Sequence, residues 1–279
     1  MTTDDNRAEV RSLAASLRAY LEWHRDAGTE GFPREGTRAG PQLAFSSEPK
    51  PESEPRPKPV GTVAEPLAAV PSGAAAATPT SSPVLHIRLP QLAAEVASCT
   101  RCALSSSRTQ TVFARGNPEA ALCFVGEAPG AEEDAQGLPF VGRAGQLLDR
   151  MIVAMGLAPE RDVYICNILK CRPPDNRRPE PIETATCIPY LHEQLSLVRP
   201  RAIVALGNTA VAALLDTSLG ITKLRGQWKL YRGQTLVMPT YHPSYLLRPS
   251  PQQVEAKRQV WADLQLVMKE LGLNPRTTA

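Results

Sequence analysis

The sequence predicts an α/β protein: a three-layer α/β/α body with a mostly parallel four-stranded central sheet, preceded by a disordered N-terminal extension. Three observations carry this. Short apolar runs alternate with amphipathic stretches of helical period through the second half of the chain. Those runs are apolar on both sides instead of alternating, the pattern of strands covered by helices on each face. Residues 28–83 are dense in Pro, Ala, Ser, Thr and charge, with few large apolar side chains, so they cannot bury enough surface to offset the entropy of ordering.

Taken in order, residues 6–25 place Val10, Leu13, Leu17, Tyr20 and Leu21 at helical spacing, predicting a short amphipathic helix within an N-terminal segment 1–27. It has no core of its own and either docks on the body or grips a protein partner. Residues 28–83 follow as an extended tether, and residues 84–279 form the folded domain. There, 121–125 is the first strand, running into Gly126-Glu127-Ala128-Pro129-Gly130. Helical period over 144–155 stops at Gly156, and 163–169 is the second strand. A second helix, 181–197, carries proline in its first turn, where the missing N–H costs nothing. The third strand, 202–206, leads through Gly207-Asn208 to an Ala-rich helix, 209–215. A strand-like 228–231 precedes the fourth strand, 235–239, and 252–271 closes the chain as an amphipathic helix with Val260, Leu264, Val267 and Met268 on one side.

The net charge is +3, and it divides unevenly: residues 84–279 hold 22 Lys/Arg against 17 Asp/Glu. A mildly basic body suits a polyanion without requiring one. The N-terminus has no basic n-region or apolar h-region, and no run approaches the ~18 apolar residues of a membrane span. A reducing cytoplasm and no membrane partner are the expectation.

Four of the six cysteines fall in two groups: Cys99 and Cys102 in a C-x2-C pair, and Cys171 and Cys187 with fifteen residues between them. Four thiolates from two distant places can close a tetrahedral metal site or hold an iron–sulfur cluster, and spacing alone does not choose between zinc and a cubane. In a reducing compartment metal or redox chemistry is preferred over disulfides. Cys123 and Cys166 lie inside apolar runs and read as small core residues.

In folds of this kind ligands bind beyond the carboxyl ends of the strands. Gathered there are the loop from Gly126 to Gly130, the acidic Glu132, Glu133 and Asp134, then Phe140, Asn167 and His242. Each has a bland reading: solvated capping charges for Glu127 and the acidic run, loop satisfaction for Asn167, packing for Phe140, a turn for His242. Their convergence at neighbouring strand ends favours a single pocket.

The segments Gly126-Glu127-Ala128-Pro129-Gly130, Pro139-Phe140-Val141-Gly142-Arg143-Ala144-Gly145, Asn167 through Cys171-Arg172-Pro173-Pro174 with Asn176, and His242-Pro243-Ser244 resemble the family 4 uracil-DNA glycosylases, the iron–sulfur branch of their superfamily. The resemblance covers residues 92–271. It implies a [4Fe-4S] cluster on Cys99, Cys102, Cys171 and Cys187, and an enzyme that flips uracil out of single- or double-stranded DNA. Hydrolysis of the N-glycosidic bond would then leave an abasic site for base excision repair. In that reading Phe140 stacks on the base, Asn167 reads its O4 and N3–H edge, and Gly126, Gly130 and Ser244 line the substrate. His242 donates to uracil O2; Glu133 is the first choice for the catalytic carboxylate, with Glu127 and Asp134 as alternatives, and Asn176 holds water or a backbone group. Arg143, Arg172, Arg177, Arg178, Arg225 and Arg248 are candidate phosphate contacts. Tyr245-Leu246-Leu247 reads equally as a wedge into the vacated stack or as helix-start packing.

Ala128 stands where other uracil glycosylases carry Asp, so the carboxylate must sit elsewhere. The loop Thr222-Lys223-Leu224-Arg225-Gly226 lacks the histidine of a DNA-trapping relative, so turnover instead of trapping is expected; a monomer is the usual expectation for an enzyme that must pinch a duplex. Two other readings stand beside this one. The first is a non-catalytic iron–sulfur or zinc DNA-binding module that recruits partners. The second is a zinc-stabilised nucleotide hydrolase, against which no P-loop or His/Asp cluster is present.

Overall fold

The computed structural model describes residues 83–273 and, apart from them, Arg18. The N-terminal helix and tether expected over residues 1–82 lie outside the described residues. Among those described, six strands form one sheet: β1 (Ala114–Gly116), β2 (Leu122–Gly126), β3 (Val163–Asn167), β4 (Ala202–Leu206), β5 (Lys229–Tyr231) and β6 (Thr235–Thr240), in spatial order β1-β3-β2-β4-β6-β5. The four expected strands are its parallel centre, β3-β2-β4-β6. The sheet is nonetheless mixed and six-stranded, not four-stranded, because β1 and β5 add antiparallel edges. Three residues ending in Gly116, at φ +87°, are too few to show a period, which is why β1 escapes the sequence pattern.

The helices are α1 (Pro83–Ala97), α2 (Ala131–Gln136), α3 (Arg143–Ala154), α4 (Pro181–Val198), α5 (Gly207–Leu215), α6 (Ile221–Leu224), α7 (Pro243–Leu246) and α8 (Gln253–Leu271). Side chains alternate across the sheet with period two. Cys123 and Val125 of β2 face a core with Leu89 and Leu92 of α1 and Leu191 and Leu195 of α4. Leu122 and Phe124 face the other core, with Leu148, Met151 and Ile152 of α3 and Leu264 of α8. Full burial of each such side chain contributes about 1.5–3 kcal/mol, and a one-residue register slip would exchange the two sets. That penalty fixes the register. The sequence did not predict α1, where Pro90 interrupts the pattern, yet Leu85, Leu89, Leu92 and Val96 form one buried stripe. Among the described residues no helix is long and apolar enough to cross a membrane.

From β2 the chain passes to β3 on one side, then returns to β4 on the other side of β2. This reversal opens a crevice beyond the carboxyl ends of β2 and β4, where open α/β sheets bind ligands. Gly126, Asn167, Gly207 and the segment following Thr240 all emerge on that edge.

Candidate active site and cysteine cavity

Gly126 and Asn167 end neighbouring strands in register. A Cβ on Gly126 would lie 2.4 Å from both Asn167 Oδ1 and Phe140 Cζ, so only glycine lets the two side chains close on the strand end in a narrow slot. Asn167 is buried, and its Oδ1 has no hydrogen-bond partner. An unmet buried acceptor costs about 1–3 kcal/mol; an incoming N–H would satisfy it. Phe140 lies across this slot, its ring centroid 5.6 Å from that of His242. Its backbone takes φ +57°, a left-handed conformation unfavourable to an aromatic residue. Close packing holds it there: a Cβ on Gly145 would fall 1.8 Å from the Phe140 carbonyl oxygen. Arg115 of β1, which sequence reading missed, donates to the carbonyls of Pro139 (2.8 Å) and Phe140 (3.2 Å). No motif marks this arginine; only the unpredicted edge strand carries it to the loop.

His242 caps α7. Ser244 N donates to His242 Nδ1 at 3.1 Å, and Ser244 Oγ lies 2.8 Å from the same nitrogen. A backbone amide can only donate, so Nδ1 is the acceptor and the neutral ring carries its proton on Nε2. Burial pushes the His242 pKa down to about 4, with Glu133 opposing and Arg248 assisting, so the ring is neutral near pH 7. Gly207, at φ +87°, passes behind it; a Cβ there would stand 3.0 Å from His242 Cβ.

The carboxylates divide by partner. Glu133 accepts from Val141 N (3.0 Å) and Gly142 N (2.9 Å) through Oε1 and from Gly130 N (3.1 Å) through Oε2, so it staples the two glycine loops together. Glu127, at the strand reversal, accepts from the Thr209 hydroxyl. Asp134 is buried and takes both its bonds from Thr109 N, which commits it to that loop. Asn176 is exposed, at φ +54°, and its Oδ1 accepts from Arg172 Nε at 2.9 Å. No described contact joins Asn176 to the slot.

Two surface expectations are corrected. Arg225 is not a free phosphate contact: its side chain is 17% exposed, and Nη2 binds Asp263 Oδ1 and Gln259 O, each at 2.6 Å. Leu246 is fully buried and cannot act as a wedge, because helix-start packing claims it; Tyr245, 42% exposed, and the half-buried Leu247 flank it. Arg177 is engaged with Glu183 at 2.6 Å. Arg143, Arg178 and Arg248 are exposed.

Cys99 and Cys102 follow α1, Cys171 follows β3, and Cys187 sits within α4; all four line one cavity, with Arg108 and Lys170 beside them. None forms a disulfide. Arg108 Nη1 donates to Cys171 Sγ at 3.2 Å and Lys170 N to Cys187 Sγ at 3.4 Å, contacts that favour thiolates. Burial pushes the Cys187 thiol up to about 11 and raises Cys171 too, so ligation there would release protons. Four sulfurs facing one cavity with N–H donors behind them are a suitable donor set for a thiolate-bound metal cofactor. Among the described residues, however, no three His, Cys, Asp or Glu side chains form a group that could hold a metal ion as they stand. Cys123 and Cys166 are buried core residues, as expected.

Comparison with known proteins adds independent information. A family model described as the uracil DNA glycosylase superfamily matches residues 113–265. A type-4 uracil-DNA glycosylase of Thermotoga maritima is 49% identical over 154 residues, covering 55% of this chain and 80% of that protein. The type-4 enzyme of Sulfurisphaera tokodaii is 44% identical over 167 residues, 57% of this chain and 76% of its own. That of Saccharolobus solfataricus is 40% identical over 194 residues, 67% and 88% respectively. The chain thus belongs to the uracil-DNA glycosylase superfamily, and within it to the type-4 uracil-DNA glycosylases.

Proposed function

We propose that the protein removes uracil from DNA by hydrolysing its N-glycosidic bond, leaving an abasic site for base excision repair. The observation that carries this is the buried, unpartnered Asn167 Oδ1 beside the Phe140 ring, where Gly126 lets both side chains close on the strand end. A uracil flipped from the stack would stack on the Phe140 ring and present its edge to the Asn167 amide. Its N3–H would satisfy Oδ1, and the Asn167 amide N–H would donate to O4. Cytosine offers a bare N3 and an amino group to the same atoms, leaving two buried groups unmatched and disfavouring it by the unmet hydrogen bonds.

Bond cleavage leaves negative charge on the base and positive charge on the sugar. A neutral His242 with its proton on Nε2 donates to O2 as that charge grows, an interaction stronger in the transition state than before it. Glu133 acts here mainly by charge and by holding the loops, since its oxygens already accept three backbone N–H groups. Glu127, with one oxygen on the Thr209 hydroxyl, is less committed to backbone than Glu133 and is the alternative for orienting water.

The four cysteines would hold a [4Fe-4S] cluster, which supplies a structural cross-link here. Four thiolates serve zinc or a cluster by donor type; the cluster is preferred on the resemblance of the sequence motifs to the iron–sulfur branch. Residues 84–279 are the glycosylase domain, acting as a monomer on single- or double-stranded DNA in the cytoplasm. For residues 1–83 the expectation stays that of the sequence, a segment that either docks on the body or grips a protein partner.

The test is cleavage of a labelled single-uracil oligonucleotide by wild type, Asn167→Ala, His242→Ala, Glu127→Gln and Glu133→Gln. Alkali-revealed breaks with wild type and losses of roughly 100–1000-fold in the His242 variant, with cluster absorbance retained, are expected. A cluster-loaded, DNA-binding wild type that makes no breaks would leave only the recruiting module.

A further inference from the structure

We propose that Arg115 is a positioning residue for base recognition: its guanidinium sets the Pro139-Phe140 turn and thereby the ring that stacks on the flipped base. The inference rests on the reading of Phe140 given above. The Arg115 side chain is 7% exposed, although it starts from an edge strand. Its Nη1 pairs with Glu160 at 2.9 Å and its Nη2 with Asp149. Those carboxylates orient the fork, and Nε and Nη2 reach two successive carbonyls, Pro139 O and Phe140 O. A flat guanidinium can serve both carbonyls from one fixed plane; an ammonium cannot.

The turn needs an external hold. Phe140 sits at φ +57°, where an aromatic residue is strained, so the conformation persists only while its surroundings overdetermine it. The surroundings grip the loop from both ends. Arg115 takes the carbonyls of residues 139 and 140, and Glu133 takes the amides of residues 141 and 142. Without the guanidinium, two buried carbonyls lose their donors, and a return of Phe140 to ordinary φ is the cheapest repair. That rotation carries the ring away from Asn167, Gly126 and His242 while leaving the basic surface alone. Base binding should suffer; DNA binding should not.

The experiment measures excision kinetics, inhibition by free uracil and melting temperature for wild type, Arg115→Met, Arg115→Lys, Phe140→Ala and the Arg115→Met/Phe140→Ala double variant. Arg115→Met should lose roughly 10–100-fold in kcat, the scale of a misplaced reactive group, with KM for DNA nearly unchanged and uracil inhibition weakened in parallel. Lysine should restore part of the loss. On the Phe140→Ala background the same substitution should cost little more, since the two act as one unit. If Arg115→Met lowers only the melting temperature, or if its loss multiplies in full on Phe140→Ala, Arg115 is merely structural and the proposal fails. Full activity and normal uracil inhibition in Phe140→Ala would remove the stacking reading itself. Should Arg115→Met not fold, Asp149→Asn loosens the same fork and should move kcat in the same direction; an unchanged kcat there overturns the proposal.

Discussion

In the proposed reaction Asn167 and His242 act through what they lack: a partner for Oδ1 in one, a second proton in the other. The sign of the pH response follows for His242. The folded ring stays neutral to about pH 4, whereas the unfolded chain takes up a proton near pH 6.5, the ordinary value for imidazole. Its contribution to stability is therefore whole above pH 6.5 and falls as the pH drops toward 4, because only the unfolded chain gains the proton. Excision depends on the folded ring alone and should run level from about pH 5 to 8. A pH–rate profile with an inflection near pH 6.5 that disappears in His242→Gln would contradict this assignment. Gly126→Ala drives a methyl group against Asn167 Oδ1 and the Phe140 ring. We expect a loss of roughly 100-fold in excision and weaker uracil inhibition, with a melting temperature lowered by a few degrees.

At the scale of elements, the site depends on where β6 and α8 meet. Asp263 of α8 accepts from Thr240 Oγ1 at 2.6 Å, at the end of β6 and two residues before His242, and from Arg225 at 2.6 Å. Burial pushes the Asp263 pKa up to about 6, against the pull of Thr240 and Arg225. Arg225→Met leaves that carboxylate buried without its cation, and loss of one member of such a pair costs about 3–5 kcal/mol. The deficit should be larger at pH 8 than at pH 5, where Asp263 can take a proton; urea unfolding at the two pH values reads it directly. At the other end of this region α7 offers Tyr245 and Leu247 beside a buried Leu246. If that tip fills the vacated stack, Leu247→Ala weakens excision from duplex more than from single strands, and equal losses on both would remove the idea.

For the whole molecule the cysteine cavity matters most, because it gathers the end of α1, the segment after β3 and the middle of α4. A cross-link between residues so far apart in sequence removes much of the unfolded chain's freedom. If the cavity holds the proposed cluster, Cys171→Ser should abolish its broad visible absorbance and lower the melting temperature by roughly ten degrees, a loss of about 2.5–5 kcal/mol for a domain of this size. A colourless wild type containing stoichiometric zinc would overturn the cluster assignment while leaving the cross-link intact.

The sequence by itself determined the four central strands, the helices over 144–155, 181–197 and 252–271, and a short list of polar residues at strand ends. Both kinds of signal are local: periodicity records which side of an element faces a core, and glycine, proline and histidine mark where the chain turns. The tertiary structure alone decided which of those residues have partners. Asn167 Oδ1 is left unpaired, Glu133 is spent on three amides, His242 is held to one tautomer, and Arg225 is withdrawn into an ion pair. Arg115 was invisible because its role depends on a three-residue edge strand and on a loop about twenty-five positions away. Hydrogen bonds between distant segments are set by packing geometry, and one-dimensional pattern carries no record of it.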